Sequence, residues 1–109
     1  MSSDVGYGVD IGTTSVSGVA VDGSGRVVAS ATVPHHADLP TNGNGVDEQD
    51  PDKLLDATLT VLSTLSGASV PQDVSTLPIG WTGQMHGVVA VDRDFNPLTP
   101  FVTWRDARR

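Results

Sequence analysis

Apolar positions fall in short runs separated by glycine, proline and asparagine, and their period changes along the chain. Val5 to Ile11 is an apolar run interrupted by two glycines, which predicts a buried strand with little room for bulk. Ser15 to Asp22 alternates small and branched residues and predicts the return strand. Asp22-Gly-Ser-Gly25 supplies a hairpin turn, and Arg26 to Val33 a third strand ended by Pro34. Three short strands joined by tight turns make an antiparallel meander. From His35 to Gln49 the breakers Pro40, Asn42-Gly43 and Asn44-Gly45 mark a long loop. Asp50-Pro51-Asp52 then opens a helix: Asp50 caps, Pro51 occupies the first helical position, and Asp52 meets the positive end of the helix dipole. Leu55, Leu59 and Leu62 recur at i, i+4, i+7 beside Leu54, Val61 and Leu65, which predicts one apolar face on a sheet, with Gly67 as C-cap and a linker over Ala68 to Ser75. Leu77 to Trp81 reads as a buried strand, parallel to the first through the helical crossover. Beyond the Thr82 to Gly87 loop the pattern predicts a strand at Val88 to Val91, a turn at Asp92 to Asn96, and a last strand at Phe101 to Trp104.

The 109 residues suffice for one small domain with a modest core. With 38% hydrophobic but only 5% aromatic residues, that core is made of Val, Leu, Ile and Ala. The net charge of −7 argues against nucleic acid, whose affinity rests on Lys and Arg neutralising phosphates, and against anionic membrane surfaces. No apolar stretch approaches the ~20 residues of a membrane span. No basic region followed by an apolar run marks a secretory leader, so the expected location is the cytoplasm. The chain has no cysteine, hence no disulfide framework and no thiolate metal site.

Chemistry concentrates first in Asp10-Ile-Gly-Thr-Thr-Ser15. A turn of small residues exposes backbone N–H groups, glycine lets a ligand approach, and the hydroxyls of Thr13, Thr14 and Ser15 add donors, so the stretch reads as a phosphate cradle. An acid beside phosphates commonly holds Mg²⁺ or one of its waters. Neither Gly-Lys-Ser/Thr nor GxGxxG is present. A plain β-hairpin with a capping Asp10 fits the same residues. With so acidic a chain, phosphate binding has to rely on local N–H groups and Mg²⁺.

The second concentration is Gly83-Gln-Met-His-Gly87 together with Trp104, Asp106 and Arg108. Gln84 and His86 can bond sugar hydroxyls, Met85 and Trp104 can pack on the apolar face of a carbon chain, and Asp106 can accept from two hydroxyls, with Arg108 orienting it or binding an anion. A few placed polar groups on an apolar wall suit a polyol. Each of these residue types is also common in ordinary packing. The adjacent His35 and His36 lack further ligand spacing and read as exposed loop. Val46-Asp-Glu-Gln-Asp50 lacks the alternating oxygen ligands of a Ca²⁺ loop.

Gly8-Val-Asp-Ile-Gly-Thr-Thr-Ser15 resembles the first phosphate motif of actin/hexokinase-type ATPases, and more narrowly the opening of the FGGY carbohydrate kinases. Ile79-Gly-Trp-Thr-Gly-Gln-Met-His-Gly-Val88 followed by Trp104-Arg-Asp-Ala-Arg108 is similar to the sugar-binding region of xylulokinases and their relatives, and Val91 to Leu98 to the hairpin between those elements. Glycerol kinases differ where this chain has Gln84-Met-His86. The resemblance implies an α/β, ribonuclease H-like domain whose mixed sheet contains the three-stranded meander and is left incomplete. It makes 1–109 the N-terminal part of kinase domain I. It implies ATP and Mg²⁺, with Asp10 assisting Mg²⁺ through a metal-bound water and Gly12, Thr13, Thr14 and Ser15 facing the phosphates. It puts Gln84, Met85, His86, Trp104 and Asp106 on the sugar wall, with Met85 and His86 as direct contacts. Ser17 departs from the family, many of whose members carry Lys or Arg there. The family's catalytic base, second phosphate motif and adenosine pocket lie beyond the matched region, so no catalytic residue is expected in this chain, and these residues alone are expected to lack turnover. An open sheet edge invites self-association into a homodimer.

Overall fold

A computed structural model describes residues 5–41, 43–68 and 77–108. In chain order its elements are β1 (Val5–Ile11), β2 (Ser15–Asp22), β3 (Val27–Pro34), β4 (Glu48–Gln49), α1 (Pro51–Ala68), β5 (Ile79–Gly83) and β6 (Phe101–Val102). The meander forms as expected, with Val9 opposite Gly18 and Gly18 opposite Ala31. β5 adds to the far side of β1 in parallel, pairing Val9 with Trp81, which gives the order β3-β2-β1-β5. β4 and β6 make a separate small antiparallel ladder. The fold is thus α/β with a mixed sheet built around an antiparallel meander. No helix among the described residues is long and apolar enough to cross a membrane.

Helix α1 starts as its residues dictate: the Asp50 carboxylate accepts the Asp52 N–H at 2.9 Å. Its buried face differs from the expected one. Ala57, Thr58, Val61 and Leu65 are buried, whereas Leu55 and Leu59 are each 54% exposed. The contact arc runs one position over because the sheet beneath is paved with small residues. Tyr7, Val9, Val16 and Ala20 meet Ala57, Val61 and Leu65 in the core. At Gly18 an added Cβ would lie 2.6 Å from Val61 Cγ1 and 3.0 Å from Leu65 Cδ1, so the helix rests almost on the strand backbone. At that distance alanine and threonine suffice as contact residues. The Thr58 hydroxyl is satisfied within the helix, donating to Leu54 O at 2.8 Å.

Other boundaries shift. Gly67 lies inside α1 rather than capping it. β5 starts at Ile79, not Leu77, and β6 stops at Val102. The strand expected at Val88 to Val91 is reduced to bridges at Val88 and Val91, within a hairpin whose tip is organised by Asp92 accepting the Asp94 and Asn96 N–H groups. The loop from His35 to Gln49 contains the short strand β4. Met1 to Asp4 and the linker from Ser69 onward to Thr76 lie outside the described residues.

Candidate functional site

β1 and β5 run parallel, so the loops that follow them emerge side by side at the carboxyl ends of adjacent strands, the usual place for a ligand in an open α/β sheet. The two residue concentrations of the sequence occupy these two loops. The Gln84 N–H donates to Ile11 O at 3.0 Å, which extends the pairing into the base of the second loop.

In the first loop, Gly12 N–H closes the turn on Ser15 O at 2.9 Å, and His35 N–H donates to Thr14 O at 3.2 Å. Side chains take the remaining carbonyls. His35 Nε2 and Gln84 Nε2 both donate to Gly12 O, at 3.1 and 3.2 Å. Gln49 Nε2 donates to Thr13 O at 3.0 Å. The His35 tautomer follows from its partners: Nδ1 accepts the Ala37 N–H at 3.1 Å, so the proton is on Nε2. Four successive carbonyls, Gly12 through Ser15, therefore face protein donors. The N–H groups of Thr13 and Thr14 meet no acceptor among the described residues. That is the arrangement of an anion cradle. Asp10 is exposed beside it, in register with Ser17 and Thr82, and a Cβ at Gly12 would lie 4.0 Å from its Oδ2. No group of three or more acidic or histidine side chains among the described residues is placed to hold a metal. One carboxylate beside free N–H groups fits Mg²⁺ held mainly by phosphate and water oxygens.

In the second loop Met85 is 68% exposed and His86 is exposed with φ +61°, a left-handed conformation rare for a residue with a side chain. The next residue fixes the turn: a Cβ at Gly87 would collide with the Phe101 ring. Val88 and Val102 exchange backbone hydrogen bonds at 3.0 and 2.8 Å just beyond. Trp104 is exposed, with the Arg105 guanidinium 6.0 Å from its ring centre.

Two residues expected on the sugar wall are used differently. Both hydrogens of Gln84 Nε2 are committed beneath the first loop, to Gly12 O and to Gln49 Oε1 at 2.9 Å. The Asp106 carboxylate accepts Asp47 N–H at 2.9 Å and Arg108 Nε and NH2 at 3.1 and 2.8 Å, and Arg108 also reaches Glu48 at 2.8 Å. Asp106 thus staples the C-terminal segment to the approach of β4, with Arg108 orienting it. Arg108, together with the Asp47 amide, holds the Asp106 carboxyl well below the usual carboxylate range. A depressed folded pKa gives a contribution that is complete above the ordinary value of about 3.9 and is lost as pH falls through the lower folded one. Thermal melts are therefore expected to fall on acidification below about pH 4, and Asp106→Asn to flatten that acid limb. An unchanged limb in the variant would show that the staple carries no stability.

The sequence pattern put His35 in an exposed loop with His36 and gave Gln49 no role; the structure corrects the first and adds the second. His36 is exposed, as expected of a loop, but His35 is buried. Its signal was position: it follows Pro34, which pairs with Ser15 in the β2–β3 register. Gln49, fully buried between acidic neighbours, carried no comparable signal.

Comparison with known proteins identifies the family. Residues 5–109 match the model of the FGGY family of carbohydrate kinases, N-terminal domain. A xylulose kinase of Staphylococcus xylosus is 36% identical over 101 residues, 93% of this chain and 20% of that protein. The crystal structure of a Rhodospirillum rubrum xylulose kinase superposes with a TM-score of 0.78 at 31% identity, over 95% of this chain and 21% of that one. A Lactobacillus acidophilus gluconate kinase superposes with a TM-score of 0.76 at 30% identity, over 94% of this chain and 20% of that one. The chain spans about a fifth of the length of the relatives it matches.

Proposed function

The chain belongs to the FGGY family of carbohydrate kinases, as its N-terminal domain, and from that premise we propose that it is the sugar- and phosphate-binding part of an ATP-dependent kinase acting on a ketose or polyol resembling D-xylulose. The observation that supports this reading is adjacency: a loop with outward N–H groups and a Met85-His86 loop leave neighbouring parallel strands side by side. Gly12, Thr13, Thr14 and Ser15 bind the phosphates, and Asp10 orients them through a water of Mg²⁺. Met85, His86 and Trp104 bind the sugar. MgATP, when bound, supplies the phosphoryl group. The residues of this domain bind and orient the two reactants; the base that takes the sugar proton belongs to the remainder of the kinase. Phosphoryl transfer needs both substrates held in line, so the 109 residues alone have no turnover. The presence of gluconate kinases among the similar structures leaves the sugar to be chosen by experiment. Val27 and Val28 on edge strand β3 are exposed, which supports self-association of the isolated domain in the cytoplasm through that edge.

A second reading has the domain acting alone as a binding module without chemistry; its self-contained core of sheet and helix favours it. One assay separates the two. The full-length kinase is given ATP and a panel of ketoses, polyols and gluconate. Phosphorylation of a ketose, with His86→Ala costing about tenfold in kcat/KM for it, supports the kinase. Sugar and nucleotide binding without turnover supports the module, and binding of neither removes both.

A further inference from the structure

The phosphate loop is shaped by side chains that no part of the proposed chemistry uses. In a planar trans peptide the C=O of one residue and the N–H of the next point in opposite directions. Gly12 O and Thr13 N–H share one such plane, and Thr13 O and Thr14 N–H share the next. A donor that pins each carbonyl inward therefore turns the following N–H outward. Gly12 O is pinned twice, by His35 Nε2 and Gln84 Nε2, and Thr13 O once, by Gln49 Nε2.

The three donors form one network. Gln84 Nε2 also donates to Gln49 Oε1, and Gln49 Nε2 to Asp38 Oδ1 at 2.8 Å. The network fixes the amide orientations: reversing Gln84 would set its oxygen against both Gly12 O and Gln49 Oε1. Its Oε1 is buried with no partner among the described residues, a cost accepted to keep Nε2 under the loop. Gln49 is fully buried and His35 nearly so, which removes water as a competing donor.

Resting on the kinase reading, we propose that His35, Gln49 and Gln84 are positioning residues for the nucleotide phosphates, holding the Gly12 and Thr13 carbonyls inward so that the Thr13 and Thr14 N–H groups meet the anion. Without a donor, the peptide it pins turns over part of the time and presents a carbonyl to the phosphate. Apparent affinity then falls in proportion to the competent fraction. Because Gln84 opens the sugar loop and Gln49 leads into α1, the cradle is set by two elements that the loop itself does not contain.

The test uses the full-length kinase carrying Gln84→Met or Gln49→Met, which keep length and remove the donor, with ADP and D-xylulose as separate calorimetric probes. ADP binding is expected to weaken about tenfold in each variant, with D-xylulose binding within about twofold, since Met85 and His86 are untouched and the Gln84 backbone still pairs with Ile11. A purely structural role would lower both affinities together with helical content, and that result overturns the inference. Unchanged ADP affinity in Gln84→Met also overturns it, and this half-buried position decides the matter if Gln49→Met fails to fold. Failure of the wild type to bind ADP would instead overturn the kinase reading itself, and this inference with it.

Discussion

Asp10→Asn in the full-length kinase is expected to lower ATP-dependent turnover by about 10²–10³-fold, the usual cost of removing one preorganised electrostatic group from an active site. KM for the ketose should stay within about twofold, since no sugar-contacting residue is changed. The argument rests on charge. Residues 10–17 contain no Lys or Arg, so the loop offers an anion only N–H groups and hydroxyls. A bare carboxylate next to phosphates repels them. Asp10 is useful there only as an acceptor for the hydration shell of Mg²⁺, and asparagine keeps the shape while removing the charge. Steady-state kinetics at saturating ketose, repeated over a Mg²⁺ series, read the effect. Turnover within a few-fold of wild type would remove Asp10 from the site and return it to the role of a turn residue.

Leu65→Ala is expected to destabilise the domain by roughly 2–5 kcal/mol, the range for emptying a buried leucine site. Leu65 is fully buried and packs over Gly18, which has no side chain of its own to fill the space left behind. Leu59→Ala is expected to change stability by no more than about 0.5 kcal/mol, because its side chain is more than half exposed. Urea unfolding of the two variants beside the parent chain gives the comparison. Equal losses would mean that the helix sits on the face its leucine spacing suggests. For a domain near 100 residues each kcal/mol moves the melting midpoint by roughly 4–8 °C, so the Leu65 variant should also be visibly shifted in a thermal scan.

That pair of leucines marks where sequence reasoning stopped. The existence and order of β1, β2, β3, α1 and β5 were legible because alternation and 3.6-residue spacing are properties of single segments. The choice of helix face was not, because it depends on the partner: Gly18, Ala29 and Ala31 let α1 come so close that Ala57 and Thr58 make the contact. The same limit applies to the site. Asp10 and the Gly12 to Ser15 turn were visible as one local motif, and Met85 and His86 as part of a second. Gln84 and Asp106 were recognisable as functional residue types, and Arg108 as a partner of Asp106, but the backbone groups that fix their places lie 72 and 59 residues away, at Gly12 and Asp47. Whether an amide faces a sugar or the underside of a neighbouring loop is decided by those distant partners. His35 and Gln49 failed for the same reason: a buried polar side chain shows its purpose only through what it bonds.

The parallel pairing of β1 with β5 also imposes a timetable on synthesis. The meander closes through adjacent hairpins, so β1, β2, β3 and the turn of the phosphate loop can form as soon as about the first third of the chain has emerged. Gln49 follows, and Gln84 is 35 residues later still, a delay of about 2–7 s at roughly 5–20 residues per second. During that interval the Gly12 carbonyl has only His35, and the flank of β1 that will receive β5 is a bare strand edge. A nascent chain stalled there exposes a template for pairing with its neighbours on a polysome. The stretch between α1 and β5 is consequently where slow codons would cost the most in misassembly, and where a bound chaperone would protect the most.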